Sequence, residues 1–378
     1  MGRTLSRMTA PGALAQVRHV TPVRPRAARG LVAEVYAGLE RDFGMLAPPV
    51  ILHSPVPPVM AACWLMLAES LLASGTVTRA AKEAVAAEVS AANTCPYCVD
   101  VHTATLHALT PSTPPALTPS TPPALTTWAR TASTARTASI PPALTTSAAP
   151  GESAPPALTS SARTASIPPP GDTVGAELVG VVVTFQYINR MVNVFLGESP
   201  LPPNVPRAAH GPAMRLFGRA MRPAARRPVT PGGSLGLLPA APLPADLGWA
   251  AAVPNLGGAF GRAAAVIEEH GRRSVPGEVR ELVADRVAAW DGEAPGPGRH
   301  WVEEAVAGLS AGHRRAGRLA LLTALASYQV DAGVVADFRR AVPDERALVE
   351  VTAWASLTAA RRVGAWCAAP VRNVSIAE

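Results

Sequence analysis

The chain has 378 residues, of which 48% are hydrophobic, only 16% are charged and 40 are proline. This length allows two domains of ordinary size, and so many prolines require long loops or an unstructured segment, because proline disrupts helix and strand interiors. The net charge of +7 comes almost wholly from scattered arginines, and with only 4% aromatic residues the composition speaks against a nucleic-acid-binding protein.

The beginning of the chain and its apolar runs give no sign of export or membrane insertion. Residues 1–30 are rich in arginine and proline without an apolar stretch, which predicts a flexible N-terminus and no signal peptide. The longest apolar runs, 59–73 and 178–196, contain polar residues and are not convincing membrane spans. Four cysteines do not make a secreted disulfide framework in a chain this long, and those at 63 and 367 are expected in the core. We therefore expect a cytoplasmic protein that does not contact a membrane.

Helical periodicity dominates the chain outside its low-complexity parts. In segment 78–93 the apolar residues Ala81, Val85 and Val89 recur at intervals of four, which places them on one helical face. No set of alternating strands appears, so the predicted fold class is all-α. Further helical patterns cover 177–196, 277–290, 301–309, 315–330 and 345–367.

Residues 110–172 differ in composition from everything around them. Segment 110–117 is repeated letter for letter by 118–125, and the whole stretch consists mainly of proline, threonine, serine and alanine. Such sequence buries too little apolar surface to offset its ordering entropy, so we predict disorder, with at most a short helix near 125–131. A second stretch rich in proline, glycine and arginine, 204–244, is predicted to be an interdomain linker.

The two halves of the chain resemble each other. Segment 77–86 aligns with 275–284, and 178–181 aligns with 348–351. The simplest explanation is a tandem duplication whose first copy later acquired the low-complexity sequence. The predicted organisation is two helical-bundle repeats, 31–203 and 245–370, followed by a tail over 371–378.

The second copy keeps only part of the chemistry of the first. Its alignment places Glu281 opposite Glu83 and His300 opposite His102, but it has no cysteine pair. A thiol site is therefore predicted in the first copy alone.

Cys95 and Cys98 form a Cys-x-x-Cys pair, which in a cytosolic chain indicates redox or metal chemistry. Pro96 suits the first turn of a helix. Cys98 lies three residues after Cys95, and His102 four after Cys98, so all three side chains share one helical face. The helix dipole in the first turn stabilises a thiolate and by itself favours Cys95, while His102 is within reach as a base.

Three other interpretations of the cysteine pair are weighed against a redox site in an all-helical fold. The same tetrapeptide suits a glutaredoxin-like fold, but there it follows a β-strand, whereas here an alanine-rich helical pattern precedes it. Zinc could be held by Cys95, Cys98 and His102 with Glu83 or His107 as the fourth ligand, although no second Cys-x-x-Cys exists. Finally, the pair could be buried cysteines without a chemical role.

The complete motif is more specific than the cysteine pair. Eleven residues separate Glu83 from Cys95, and three separate Cys98 from His102. This pattern resembles the core motif of the AhpD-like alkylhydroperoxidases, which belong to the carboxymuconolactone decarboxylase superfamily.

The resemblance extends beyond the motif. Segment 185–195 is similar to a later helix that packs beside the site in this family. The resemblance to the family is good over residues 31–109 and 174–203. It is weak over 246–368, which resembles a degenerate second copy.

The resemblance implies a thiol-dependent peroxidase that reduces hydroperoxides through a dithiol/disulfide cycle without a cofactor or a metal. It assigns Cys98 as the peroxidatic nucleophile, Cys95 as the resolving thiol, and Glu83 with His102 as a proton relay. The implied reductant is a lipoyl-type dithiol or a partner peroxiredoxin.

Peroxidase members of the family often carry a histidine between the cysteines, where this chain has Tyr97. Two alternatives stay open: a lactone decarboxylase that uses glutamate and histidine without thiols, and a non-enzymatic thiol redox sensor or interaction protein. Single-copy members form symmetric oligomers, and the duplication suggests an internal pseudo-dimer that reduces the need for a homo-oligomer.

Overall fold

The computed structural model describes residues 2–110, 172–202 and 204–368, and within these ranges the chain is helical, with no β-strand. The predicted all-α fold is confirmed. Short π-helical turns extend α2 and α4. The α-helices of the described residues, numbered in chain order, are α1 (Gly2–Ala15), α2 (Gly30–Gly38), α3 (Pro48–Ile51), α4 (Pro57–Leu67), α5 (Arg79–Ala92), α6 (Pro96–Leu109), α7 (Thr173–Phe195), α8 (Arg207–Ala225), α9 (Pro254–Ser274), α10 (Gly277–Ala289), α11 (His300–Val306), α12 (Arg314–Leu325), α13 (Ala332–Ala341) and α14 (Glu345–Ala368).

Some of the sequence predictions fall outside the described residues. The low-complexity segment predicted to be disordered lies there over 111–171, together with the short helix expected near 125–131. The tail over 371–378 lies outside them as well.

Helices α5 and α6 are joined by a tight turn that positions the cysteine motif. Thr94 in this turn has a φ of +51°, in the left-handed region that few residues other than glycine adopt. The next residue, Cys95, donates its backbone N–H to the carbonyl of Ser90 at 2.9 Å, and Pro96 begins α6. The turn therefore holds Cys95 against the end of α5 and aims α6 back along it.

Helix α7 is the central helix of the fold, and nearly all of its side chains are buried. By length and hydropathy α7 could cross a membrane, but 94% of its most apolar stretch is buried inside the protein. Its contacts are mainly with α5 and α14. Asp172 caps its first turn by accepting a hydrogen bond from the backbone N–H of Val174 at 3.2 Å.

A buried ion pair ties α7 to α5. Glu177 lies 3.0 Å from Nζ of Lys82, the only lysine of the chain, and both side chains are almost inaccessible to solvent. The same carboxylate accepts the backbone N–H groups of Thr76 at 2.7 Å and Val77 at 3.2 Å. Burial lowers the pKa of Lys82, while the charge of Glu177 opposes this effect. The loop before α5 is therefore fixed onto the central helix.

The two predicted repeats share one hydrophobic core. Helix α7 packs along α14, and α4 packs along α9. A buried carboxylate, Glu69, also joins the halves: it accepts hydrogen bonds from Gly232 N at 2.7 Å, Ser234 Oγ at 2.6 Å and Asn255 Nδ2 at 3.0 Å. The halves thus form one packed unit, and their origin by duplication stays a prediction.

The N-terminus contains regular structure where the sequence predicts flexibility. Within 1–30 the structure has helix α1, and the backbone N–H of Arg18 donates to the carbonyl of Phe195 at 2.8 Å. Nε2 of Gln16 donates to the carbonyl of Pro200 at 3.2 Å. These contacts bring the N-terminal segment to the end of α7.

The segment 204–244, predicted as a linker, likewise holds a helix, α8, which packs on α6. Met214, Gly218, Met221 and Ala225 are buried and recur every three or four residues, which gives α8 an inward face despite its arginines and prolines. At Gly218 a Cβ atom would lie only 2.4 Å from the carbonyl oxygen of Ala104. The two helices can approach this closely only because Gly218 has no side chain.

Candidate active site

Glu83, on α5, organises the polar side of the site. The side chain is 1% exposed; Oε1 accepts from Nε of Arg79 at 2.8 Å, and Oε2 accepts from Nδ1 of His102 at 2.6 Å. Burial by itself raises the pKa of Glu83, but the charges and hydrogen bonds of Arg79 and His102 outweigh it, so the pKa is lowered. Glu83 is therefore ionised at neutral pH and can only accept hydrogen bonds.

The contact with Glu83 sets the tautomer of His102. Because the carboxylate accepts, Nδ1 carries a proton, and Nε2 of the neutral ring is left as an acceptor. The ring meets Phe185 edge-on, with centroids 4.5 Å apart, which fixes its orientation. His102 lines the same cavity as Cys98, so Nε2 is available as a base for chemistry in that cavity.

Cys95 and Cys98 are unlinked, buried thiols. Cys95 is the N-cap residue of α6 and Cys98 lies in its first turn. Burial raises the pKa of Cys98 well above its usual value, and the contact with Cys95 adds to this, while a hydrogen bond from Asn189 opposes it. Cys98 is therefore protonated at rest and needs a base before it can act as a nucleophile.

A cavity of about 70 Å³ lies at these groups, and Cys98, His102 and Tyr97 supply part of its lining. This volume holds a few water molecules or the reacting end of a small molecule. The rest of the lining is mostly apolar and includes Phe43, Met45, Leu67, Phe185, Ile188 and Phe217.

Tyr97, between the two cysteines, faces the N-terminal segment. Its hydroxyl donates a hydrogen bond to Oε1 of Gln16 at 2.8 Å. Burial raises the pKa of Tyr97, and negative charge at Cys98 or Cys95 would raise it further. The Tyr97 hydroxyl is therefore protonated at neutral pH and remains a hydrogen-bond donor. Its bond to Gln16 joins two residues that line the cavity.

We expect Tyr97→Phe to lower the free energy of unfolding by about 1 kcal/mol, because Gln16 loses its donor in a partly buried position. Urea unfolding followed by circular dichroism measures the change. Tyr328→Phe, at a side chain that is 40% exposed, is the matched control and should change stability less. Equal stabilities of Tyr97→Phe and the parent would contradict the hydrogen bond.

The structure brings together all four residues of the predicted motif and adds three that the sequence interpretation missed, namely Arg79, Gln16 and Asn189. Arg79 precedes Glu83 by four residues on the same helix, a spacing that signals an ion pair. Gln16 carries no local signal, because its place depends on how the N-terminus folds back.

The signal for Asn189 was a polar face within an apolar helix. Polar residues in the most apolar stretch of the chain recur at intervals of three, one and three, which places them on one face of α7. A polar face on a buried helix must find hydrogen-bond partners inside the protein. These residues are Gln186, Asn189, Arg190 and Asn193.

The second half does not rebuild the site. His300, the aligned counterpart of His102, is 88% exposed and pairs with Glu304 at 3.0 Å. Glu281, the counterpart of Glu83, is exposed and lines an open cleft of about 560 Å³. The reason is structural: His300 begins the short helix α11, whereas His102 lies in the second turn of α6.

The geometry also bears on the zinc interpretation. Within residues 2–110, 172–202 and 204–368, no three histidine, cysteine or acidic side chains are grouped so that they could hold a metal ion. Glu83, a candidate fourth ligand, has both oxygens engaged by Arg79 and His102.

The helices that build the site match a known family. The model of the Carboxymuconolactone decarboxylase family matches residues 57–109, which run from α4 to the end of α6 and include the whole Glu-Cys-Cys-His motif. The chain belongs to this family. It is 36% identical over 357 residues to the alkyl hydroperoxide reductase Rv2159c of Mycobacterium tuberculosis (strain ATCC 25618 / H37Rv), an alignment that covers 93% of this chain and 95% of that protein. No solved structure matches the chain.

Proposed function

We propose that this protein is a thiol-dependent peroxidase that reduces hydroperoxides through Cys95 and Cys98. The observation that carries the proposal is a buried thiol, Cys98, that lines a largely apolar cavity together with His102, a histidine whose Nδ1 is hydrogen-bonded to Glu83. The second buried thiol, Cys95, lies three residues earlier at the start of the same helix. The relative in Mycobacterium tuberculosis is named an alkyl hydroperoxide reductase, which supports the same class of reaction.

The first half-reaction oxidises Cys98. Nε2 of His102 takes the thiol proton, and the thiolate attacks the terminal oxygen of the hydroperoxide. The O–O bond breaks, the sulfur becomes a sulfenic acid, and the departing alkoxide takes the proton from His102 to leave as an alcohol. Glu83 accepts the hydrogen bond from Nδ1–H of His102 throughout. Its negative charge stabilises the imidazolium that exists between the two proton transfers.

The second half-reaction forms and then reduces a disulfide. The sulfur of Cys95 attacks the sulfenic sulfur of Cys98, the Cys95–Cys98 bond forms, and the hydroxyl leaves as water with the Cys95 proton. A dithiol then supplies two electrons and two protons and restores both thiols. By family resemblance this reductant is a lipoyl-type dithiol or a partner peroxiredoxin.

The cavity supports an organic hydroperoxide as the substrate. Its lining beyond the polar groups consists of aromatic and aliphatic side chains such as Phe43, Phe185 and Phe217, which suit an alkyl group. Its volume of about 70 Å³ favours a short alkyl chain, with longer ones requiring the cavity to widen.

Treatment of the reduced protein with one equivalent of tert-butyl hydroperoxide tests the proposal. We expect two of the four thiols to disappear, the intact mass to fall by two hydrogen atoms, and peptide mapping to join Cys95 to Cys98. Cys63 and Cys367 are buried, and their thiols should remain. Unchanged thiols, or a stable gain of oxygen without a disulfide, would reject the dithiol cycle.

A further inference from the structure

The lining of the active-site cavity consists of a buried interior and a partly exposed mouth. Cys98, His102 and Phe185 belong to the interior, since each of these side chains is at most 7% exposed. The mouth is the part of the lining that is also in contact with solvent, and its two largest side chains are Phe43 and Phe217. A molecule that enters from solvent therefore passes these two aromatic rings on its way to the Cys98 thiol.

Helix α8 carries Phe217 and is held against the active-site helix at the very next residue. A Cβ atom at Gly218 would lie 2.4 Å from the carbonyl oxygen of Ala104, so the two helices meet backbone to backbone at this point. Met214 and Met221, about one turn to either side of Phe217, are buried. The backbone of Phe217 is therefore fixed relative to α6, the helix of the cysteine motif.

The end of α8 also contacts the other side of the mouth. Phe43 ends the π-helical turn after α2 and is followed by Gly44, whose φ of +98° favours glycine. A Cβ atom at Gly44 would lie only 2.9 Å from Cβ of Ala224, near the end of α8. One helix thus contacts both α6 and the turn of Phe43, and this contact fixes the width of the mouth.

The two rings differ in their relation to the rest of the protein. Of the described side chains, those of the hydrophobic core and those packed against it include Phe43 but not Phe217. Phe217 is nevertheless partly buried, while its neighbour Leu216 is 67% exposed. Aromatic rings that line a cavity supply apolar contacts and shape to a bound molecule. The ring of Phe217 therefore acts on what enters the cavity more than on the stability of the core.

We propose that Phe217 is a specificity-determining residue, whose ring narrows the mouth of the cavity and limits the size of the group that reaches Cys98. The inference rests on the proposed function and specifies its substrate class as organic hydroperoxides with small, compact alkyl groups. The reason is steric, because a group too large for a packed site forces side chains and backbone out of their preferred positions. That penalty is present in the transition state and so lowers kcat/KM for the larger substrate.

Two hydroperoxides that differ in one group test the inference. Cumene hydroperoxide carries a phenyl ring in place of one methyl group of tert-butyl hydroperoxide, and kcat/KM for each is measured with dihydrolipoamide as the reductant. We expect Phe217→Ala to raise the ratio of the cumene value to the tert-butyl value by about 10-fold or more over the parent. Differences in intrinsic reactivity cancel in this comparison. Phe217→Trp, with a larger ring, should lower the ratio.

A second measurement uses no peroxide and so does not depend on the proposed function. Methyl and benzyl methanethiosulfonate each form a mixed disulfide with a thiolate and release methanesulfinate. In a Cys95→Ser background, mass spectrometry of the peptide that contains Cys98 gives the rate for each reagent. We expect Phe217→Ala to raise the rate with the benzyl reagent relative to the methyl reagent by about 10-fold.

Leu216→Ala is the matched control, because Leu216 is the preceding residue of α8, is mostly exposed and does not line the cavity. It should leave both ratios at the parent value. Unchanged ratios in Phe217→Ala, or an equal change in Leu216→Ala, would overturn the inference. A parent that consumes neither hydroperoxide would reject the proposed peroxidase, and the methanethiosulfonate ratio would then decide by itself whether Phe217 limits access to Cys98.

Discussion

Replacing Cys98 with serine is expected to reduce hydroperoxide consumption about 1,000-fold or more, to the uncatalysed background. A serine hydroxyl is not oxidised by peroxides, and His102 cannot make it a comparable nucleophile. Loss of tert-butyl hydroperoxide in the presence of a dithiol such as dihydrolipoamide measures the effect. The binding cavity should persist in the variant, because serine differs from cysteine by a single atom and Cys98 lies on a helix held by packing on both sides.

Variants of the other cysteines separate the roles of the thiols. Cys95→Ser should still be oxidised once, to a Cys98 sulfenic acid that dimedone traps, but it should not complete the cycle. Cys63→Ala removes a thiol that is wholly buried in α4 away from the cavity lining and should retain activity. Activity that survives in Cys98→Ser would reject the thiol mechanism in favour of one that uses only Glu83 and His102.

The part of the site that the sequence predicts is the part that depends on local spacing. Cys95, Cys98 and His102 follow one another on a single helix, and Glu83 belongs to the helix immediately before it, so motif and periodicity place them together. Gln16 reaches the same cavity from about 80 residues before the cysteines in the chain. Asn189 lies about 90 residues after them and meets Ser90 and Asn93 at the end of α5. Their positions follow from tertiary packing, which no local pattern encodes.

The helices also divide into those that local spacing predicts and those that depend on tertiary packing. Apolar residues at helical intervals predict α5, α7 and α10 correctly, because these helices bury a continuous face. In helix α8 the periodic pattern is obscured, since Pro212 and Pro223 lie within the helix and its exposed positions are rich in arginine. Its inward face packs closely on α6 at Gly218, a tertiary contact that no local pattern encodes.

A second buried histidine, outside the cavity lining, makes the fold sensitive to acid. His53 is fully buried, and its Nδ1 lies 3.3 Å from the carbonyl of Val50, which requires Nδ1 to carry the proton. Nε2 then accepts a hydrogen bond from the Tyr187 hydroxyl at 2.8 Å. Protonation of Nε2 would break this bond and place a charge in the core, and burial accordingly lowers the pKa of His53 to about 3.

The direction of the pH effect follows from the two pKa values. In the unfolded chain His53 has its ordinary pKa of 6.5, against about 3 in the folded protein, so protons bind preferentially to the unfolded state. The stabilisation is fully present above pH 6.5 and is lost as the pH falls toward 3. At about 1.36 kcal/mol for each pH unit, we expect the free energy of unfolding to fall by about 4–5 kcal/mol over this interval from His53 alone.

Chemical denaturation of the parent and of His53→Gln between pH 7 and pH 3 isolates this contribution. Glutamine can accept the hydrogen bond from Tyr187 through its amide oxygen but does not titrate, so the variant should lose distinctly less stability in acid than the parent. His300→Gln, at a side chain that is 88% exposed, should follow the parent closely. If the parent and His53→Gln lose stability in parallel, the acid sensitivity of the fold arises from other groups, such as the buried carboxylate of Glu83, whose pKa is lowered in the folded protein, and His53 does not contribute to it.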